Sequence, residues 1–132
     1  KLRGCLEETN RKLGAERVYY CGTRTGKAYS DFLEDKHIGV NLISQQQGIA
    51  DNAFPGKILS YMGHSLYVLS SACDSIVQSR LGRDIYFCQN TPESIAETIR
   101  QIPIEERCDY GNLLGGLRRD FEEELKQMLS AF

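Results

Sequence analysis

Residues 52–71, NAFPGKILSYMGHSLYVLSS, constrain the fold more than any other part of the chain. Pro55 suits the first turn of a helix, because the N–H group that it lacks would have no partner inside the helix there. Gly63 is typical of the residue that ends a helix, and the apolar run Leu66-Tyr-Val-Leu69 is typical of a buried parallel strand. The segment therefore predicts a loop, a helix, a tight turn and a buried strand.

The predicted helix start has the chemistry of an anion-binding site. The first amide groups of a helix have no partner within it and carry a partial positive charge. Gly56, Lys57 and Ile58 would present such amides, and Lys57 adds a full positive charge one turn in. A surface helix with an exposed lysine is the alternative, and the residues alone leave both open.

Strands and helices alternate along the rest of the chain. Short runs of β-branched and aromatic residues predict four strands, at residues 17–21, 37–43, 66–69 and 84–88. Apolar residues at helical spacing predict helices at residues 2–13, 27–34, 55–62 and 74–81, then one from Thr91 and a longer one after Pro103. Strict alternation without hairpin turns predicts an α/β fold: a three-layer, Rossmann-like parallel sheet of about four strands with helices on both faces. The strands are expected near Val18, Val40, Val68 and Tyr86.

Length and charge narrow the class of protein. A chain of 132 residues with 41% hydrophobic content can bury one ordinary core, so residues 1–132 are expected to form a single domain. The 18 acidic and 16 basic residues leave a net charge of −2 without a basic block, which disfavours nucleic acid and anionic membranes as partners. The five cysteines lack CxxC or Cys/His metal-ligand spacing, and several lie in apolar runs, so we expect reduced thiols and a cytoplasmic location. An opening helix without an initiator methionine suggests that the segment is the C-terminal part of a larger, two-domain protein.

The loops after the strands are where a ligand is expected, since ligands of open parallel sheets gather beyond the carboxyl ends of the strands. Residues 22–26 and residues 44–52, with the helix start behind them, are the richest of these loops in polar residues and glycine. Residues 23–26 could also be an ordinary polar turn, and Asn52 could simply cap the helix. Both alternatives stay open.

The segment with Pro55 and Lys57 resembles the "aPsKllEYmaaGkPVvas" signature of the donor-binding domain of GT-B glycosyltransferases. Residues 13–22, LGAERVYYCG, are similar to the family's "lgl.drV.f.G" segment, and residues 37–42, HIGVNL, to its "adigv.p" strand. Residues 84–99 are similar to the stretch in which a short strand precedes a "d.e.la.ai" helix. The resemblance covers most of the chain and implies a Rossmann-like domain that lacks its first strand.

The resemblance implies the donor-binding part of a glycosyltransferase that moves a sugar from a nucleotide diphosphate to an acceptor, as in polysaccharide biosynthesis. It implies that Lys57 is catalytic, because a lysine beside helix amides stabilises the departing diphosphate without a metal or cofactor. The acceptor site and any general base would lie in a preceding N-terminal domain, so this segment alone is expected to be inactive and to make no membrane contact itself. The expected donor-binding residues are Gly22, Thr23, Arg24, Thr25, Asn52, Ala53, Phe54, Gly56 and Ser60.

One departure from the family pattern affects the donor site. The family carries two glutamates with seven residues between them, and Asn52 and Ser60 stand at the corresponding positions here. A serine binds ribose hydroxyls more weakly than a carboxylate does. The alternative function is therefore a non-catalytic nucleotide- or anion-binding domain, or an interaction domain, with the same sheet. The sugar, the nucleotide, the acceptor, the stereochemical outcome and the oligomeric state stay open.

Overall fold

A computed structural model describes residues 2–43 and 56–131, and the descriptions below refer to these residues. The chain divides into two compact units, Lys1–Ser30 and Asp31–Phe132. The sheet and the buried core belong to the second unit.

The first unit contains helix α1, Leu2–Leu13, at the predicted position. It ends at Gly14, whose φ of 65° lies in the left-handed region that glycine adopts without strain. The strand predicted at residues 17–21 is wrong, because this segment forms no strand. The backbone of this segment bonds to the Asn10 side chain instead of to a neighbouring strand. Asn10 Oδ1 accepts from the N–H groups of Arg17 and Val18, and Asn10 Nδ2 donates to the Val18 carbonyl at 2.8 Å.

Among its described residues, the second unit contains a parallel sheet of three strands rather than the predicted four. Strands β1, Ile38–Asn41, β2, Tyr67–Ser71, and β3, Ile85–Cys88, lie side by side in the order β1-β2-β3. Val40 is in register with Leu69, and Leu69 with Tyr86. The parallel pairing of the three strands near Val40, Val68 and Tyr86 is confirmed, and the fold is α/β and Rossmann-like.

Helices connect and follow the strands. Helix α2, Gly26–Leu33, precedes β1, and helix α3, Gly56–Gly63, crosses from β1 to β2. Helix α4, Asp74–Val77, is shorter than the predicted 74–81, and a 3₁₀ turn, Gly82–Asp84, leads into β3. Helices α5, Pro92–Gln101, and α6, Gly111–Ser130, follow.

The core forms two clusters on alternate residues of β2. Side chains of successive strand residues point to opposite faces of a sheet. Val68 packs in a first cluster with Ile58 and Met62 of α3. Leu69 packs in a second cluster with Ile102, the residue that follows α5 in the chain. The central strand is buried along its whole length, as the apolar run in the sequence predicts.

Two groups of residues are less buried than their sequence patterns suggest. Early residues of α6 pack against the first cluster, but Phe121, Leu125, Met128 and Leu129 are exposed. All five cysteines are free thiols, and only Cys88 is buried, although several lie in apolar runs of the sequence. In the part of the chain that the structure describes, none of the helices combines the length and the apolar character needed to cross a membrane.

Candidate functional site

The three strands end at one edge of the sheet, and polar residues collect there. Because the strands are parallel, their carboxyl ends, at Asn41, Ser71 and Cys88, lie at the same edge. This carboxyl edge is where open parallel sheets bind ligands. Gln89 and Asn90 follow β3 directly and are exposed. The edge is therefore the candidate site of the second unit.

Helix α3 begins at the carboxyl edge. Its last turn leads through a tight reversal at His64 and Ser65 into the amino end of β2, where the Tyr67 N–H group donates to the His37 carbonyl at 2.8 Å. The opposite end of the helix, with Gly56 and Lys57, therefore lies towards the carboxyl ends of the strands. Both residues are exposed, and Lys57 makes no hydrogen bond or ion pair with another described residue.

Side chains at the carboxyl edge form a hydrogen-bonded network. We call Asn41, Ser70, Ser71 and Asn90 the edge network. The Asn41 Nδ2 group donates to Ser70 Oγ at 3.0 Å. Ser71 Oγ accepts from the Ile43 N–H group at 2.7 Å, and Asn90 Nδ2 donates to the Ile43 carbonyl at 2.7 Å. The network thus joins the ends of all three strands.

The chain beyond β3 is organised by the start of α5. Thr91 is the N-cap of the helix, and its side chain accepts a hydrogen bond from the Ser94 N–H group at 3.3 Å. The Ser94 hydroxyl accepts in return from the Gln89 N–H group at 3.0 Å. These bonds fix the segment that carries Asn90.

The predicted site residues fall into three groups. Gly56, Lys57 and Ser60 lie together on the first turns of α3, and Ser60 is half-buried. Residues 22–25 are exposed and belong to the first compact unit. The predicted donor-binding residues Asn52, Ala53 and Phe54, like Pro55, lie outside the described residues.

Sequence reasoning missed the edge network. The sequence pattern favours residues 22–26 and 44–52, because these loops contain the most glycine and polar residues, whereas Ser71 and Asn90 lie at the ends of β2 and β3. The available signal was the pair Ser70-Ser71, since two hydroxyl groups inside a buried apolar strand need hydrogen-bond partners.

Two cavities lie at the opposite, amino edge of the sheet. A cavity of about 650 Å³ is lined by residues between Val77 and Asp84 together with Leu113, and one of about 440 Å³ lies beside Tyr67 and Tyr110. Burial raises the pKa of the Tyr110 hydroxyl, and a hydrogen bond to Cys108 raises it further. The carboxyl edge is the stronger candidate, because open parallel sheets generally bind ligands at this edge and polar groups from three strands converge on it here.

Comparison with known proteins adds no assignment: no protein-family model, curated protein or solved structure matches the chain. Among the described residues, no group of three or more histidine, cysteine, aspartate and glutamate side chains is placed to hold a metal ion.

Proposed function

We propose that the chain is the nucleotide-sugar donor-binding part of a glycosyltransferase. The observation that carries the proposal is the crossover from β1 through α3 to β2, which brings Gly56 and the exposed Lys57 to the carboxyl edge. A three-layer arrangement with helices on both faces of the sheet is part of the proposal, and the two core clusters on alternate residues of β2 support it.

Lys57 has the charge and exposure that donor chemistry needs. When a nucleotide diphosphate leaves the anomeric carbon of a sugar, negative charge grows on the phosphate oxygens. An exposed ammonium group without a competing carboxylate among the described residues is free to meet that charge. Under this proposal Lys57 stabilises the leaving group, while the acceptor and any general base belong to a companion domain.

A titration of the isotope-labelled protein with uridine diphosphate and guanosine diphosphate, followed by nuclear magnetic resonance, tests the proposal. We expect selective shifts of the Gly56 and Lys57 amides at millimolar nucleotide. Lys57→Ala should abolish these shifts, whereas Lys126→Ala, which removes an exposed lysine from α6, should leave them intact. Shifts confined to other surfaces, or none, would refute a donor site at this helix start.

In the enzyme joined to its companion domain, Lys57→Ala should lower turnover by roughly 2–4 kcal/mol of transition-state stabilisation, the usual loss for one charge-assisted contact. The melting temperature should stay unchanged, because the side chain is exposed and makes no hydrogen bond or ion pair with another described residue. Equal turnover in both proteins would show that Lys57 does not face the leaving group.

Ser60 favours a second candidate, a nucleotide- or anion-binding domain without transferase activity. It is half-buried on α3, and the acidic side chain that would bind ribose hydroxyls is absent at this position. Ser60→Glu separates the two candidates, because a carboxylate accepts stronger hydrogen bonds from hydroxyl groups than serine does. Tighter nucleotide binding by the variant supports an ordinary donor site, and weaker binding supports a site built for another ligand.

A further inference from the structure

The backbone of Ile43 is held by side chains rather than by a neighbouring strand. The ladder between β1 and β2 ends at the pair Asn41 and Ser70, so Ile43 lies two residues beyond it. Its N–H group donates to Ser71 Oγ and its carbonyl accepts from Asn90 Nδ2, both at 2.7 Å. Two side chains, one from the end of β2 and one from just beyond β3, therefore clamp one peptide segment as it leaves the sheet.

Ser70 makes further hydrogen bonds at the ends of the same strands. It is fully buried in β2, where an unpaired hydroxyl group would be costly. Its Oγ accepts from Asn41 Nδ2 and lies 3.0 Å from the Asn41 carbonyl and 2.9 Å from the Ser71 carbonyl, so its single proton can go to either. Among the described residues, no buried polar side-chain atom lacks a partner. The buried Ser70 hydroxyl therefore has hydrogen-bond partners within the protein.

We propose that Ser71 and Asn90 are positioning residues for the donor site, and this inference rests on the function proposed above. Strand ends normally fray, and a loose edge would have to be ordered when a ligand binds. Because the two side chains fix the Ile43 peptide, this edge is already ordered before a ligand binds, and binding does not carry the free-energy cost of ordering it. The ordered edge then supports the nucleotide diphosphate beside Lys57. The bonds are neutral, so they can hold the edge without competing with Lys57 for the negative phosphates.

Two variants break the clamp one bond at a time. Asn90→Ala removes the amide that donates to the Ile43 carbonyl without adding a charge near the proposed phosphate site, and the position is exposed, so folding should survive. Ser71→Ala removes the acceptor for the Ile43 N–H group. Ser79→Ala is the control, because it also removes one hydrogen bond between a serine hydroxyl and the backbone, the one that Ser79 Oγ donates to the Ile76 carbonyl at 2.6 Å, away from the carboxyl edge.

Amide hydrogen exchange at Ile43 and titration with uridine and guanosine diphosphates measure the two consequences. In each clamp variant we expect the Ile43 amide to exchange about tenfold faster and nucleotide affinity to fall about fivefold, the effect of losing one hydrogen bond. Ser79→Ala should change neither quantity. The double variant should lose no more than the two single variants combined.

The outcomes separate this inference from the function on which it rests. Faster exchange at Ile43 with unchanged nucleotide affinity would overturn the positioning role while leaving the donor site in place. Unchanged exchange in both variants would show that these side chains do not hold the edge and would overturn the inference as well. Absence of nucleotide binding by the unsubstituted protein would refute the proposed function itself, and the positioning role would fall with it.

Discussion

Gly39 shows how a single missing side chain sets the distance between a helix and the sheet. A Cβ atom at this position would lie 2.2, 2.3 and 2.8 Å from three carbons of the Tyr61 ring, distances that real Cβ contacts do not reach. Gly39 is buried in β1, and Tyr61 belongs to α3. The close approach of α3 to the sheet therefore depends on glycine here.

Gly39→Ala should lower the free energy of unfolding by about 1–3 kcal/mol, the usual cost of overpacking a core. Denaturation with urea measures the loss. Gly63→Ala is the control, because a Cβ there meets nothing within 4 Å. In a Tyr61→Ala background the cost of Gly39→Ala should shrink, since the ring is gone. An equal cost in both backgrounds would contradict the steric explanation.

Tyr110 should make the stability of the protein fall at high pH. Burial raises the pKa of its hydroxyl above the ordinary value of 10.0, and the hydrogen bond to Cys108 raises it further. The folded state therefore holds this proton more tightly than the unfolded state. The resulting stability is complete below pH ~10 and declines as the pH rises through and beyond that value.

Tyr110→Phe should make that decline shallower, by at most about 1.4 kcal/mol per pH unit, because one titrating proton is removed. Denaturation curves recorded at several pH values between neutral and strongly alkaline measure the slope. Tyr19→Phe, at an exposed tyrosine, should leave the slope as it is. The same slope in the unsubstituted protein and in Tyr110→Phe would contradict a buried, tightly protonated hydroxyl.

At the scale of elements, Thr91 determines where α5 begins. Its side chain caps the Ser94 N–H group, and Pro92 occupies the first turn. Thr91→Ala should destabilise the second unit by about 1 kcal/mol, and Thr91→Ser should recover most of the loss because serine can accept the same bond. Thermal unfolding of the two variants provides the comparison. Equal losses for alanine and serine would point to the Thr91 methyl group rather than the cap.

The capping signal at Thr91 also shows what the sequence can predict. Local patterns located the helices and three strands, because spacing, caps and apolar runs act over a few residues. Residues 17–21 have the composition of a strand, yet a strand needs a partner strand, and the Asn10 side chain instead bonds to the backbone of Arg17 and Val18. The strand propensity of these residues could not reveal that the Asn10 side chain competes with a partner strand for their backbone hydrogen bonds.

The edge network was unpredictable for a related reason. Asn90 Nδ2 and the Ile43 carbonyl are 47 positions apart, and Ser71 Oγ and the Ile43 N–H group are 28 apart. Such pairs depend on strand order and register, which alternation of elements leaves undetermined. The sequence pattern predicted parallel strands with a helix between β1 and β2, whereas the bonds across the carboxyl edge could be seen only once the order and register of the three strands were known.

At the scale of the molecule, the fold depends on the second compact unit. Among the described residues, the buried hydrophobic ones extend from Leu33 to Tyr110 and belong to Asp31–Phe132. Helix α1 contributes no buried residue. A protein that begins at Gly26, and so keeps α2 whole, should therefore retain the sheet and both core clusters.

This shortened protein should keep its free energy of unfolding within about 1 kcal/mol of the full chain, because stability resides where apolar area is buried. Urea denaturation and the amide spectrum of the three strands measure this. Removing residues 111–132 provides the contrast, since Leu113, Leu114 and Leu117 pack against the first core cluster and their loss should cost several kcal/mol, roughly as large core truncations do. If loss of residues 1–25 instead abolished cooperative unfolding while loss of α6 did not, the second unit would not be the part that determines the fold.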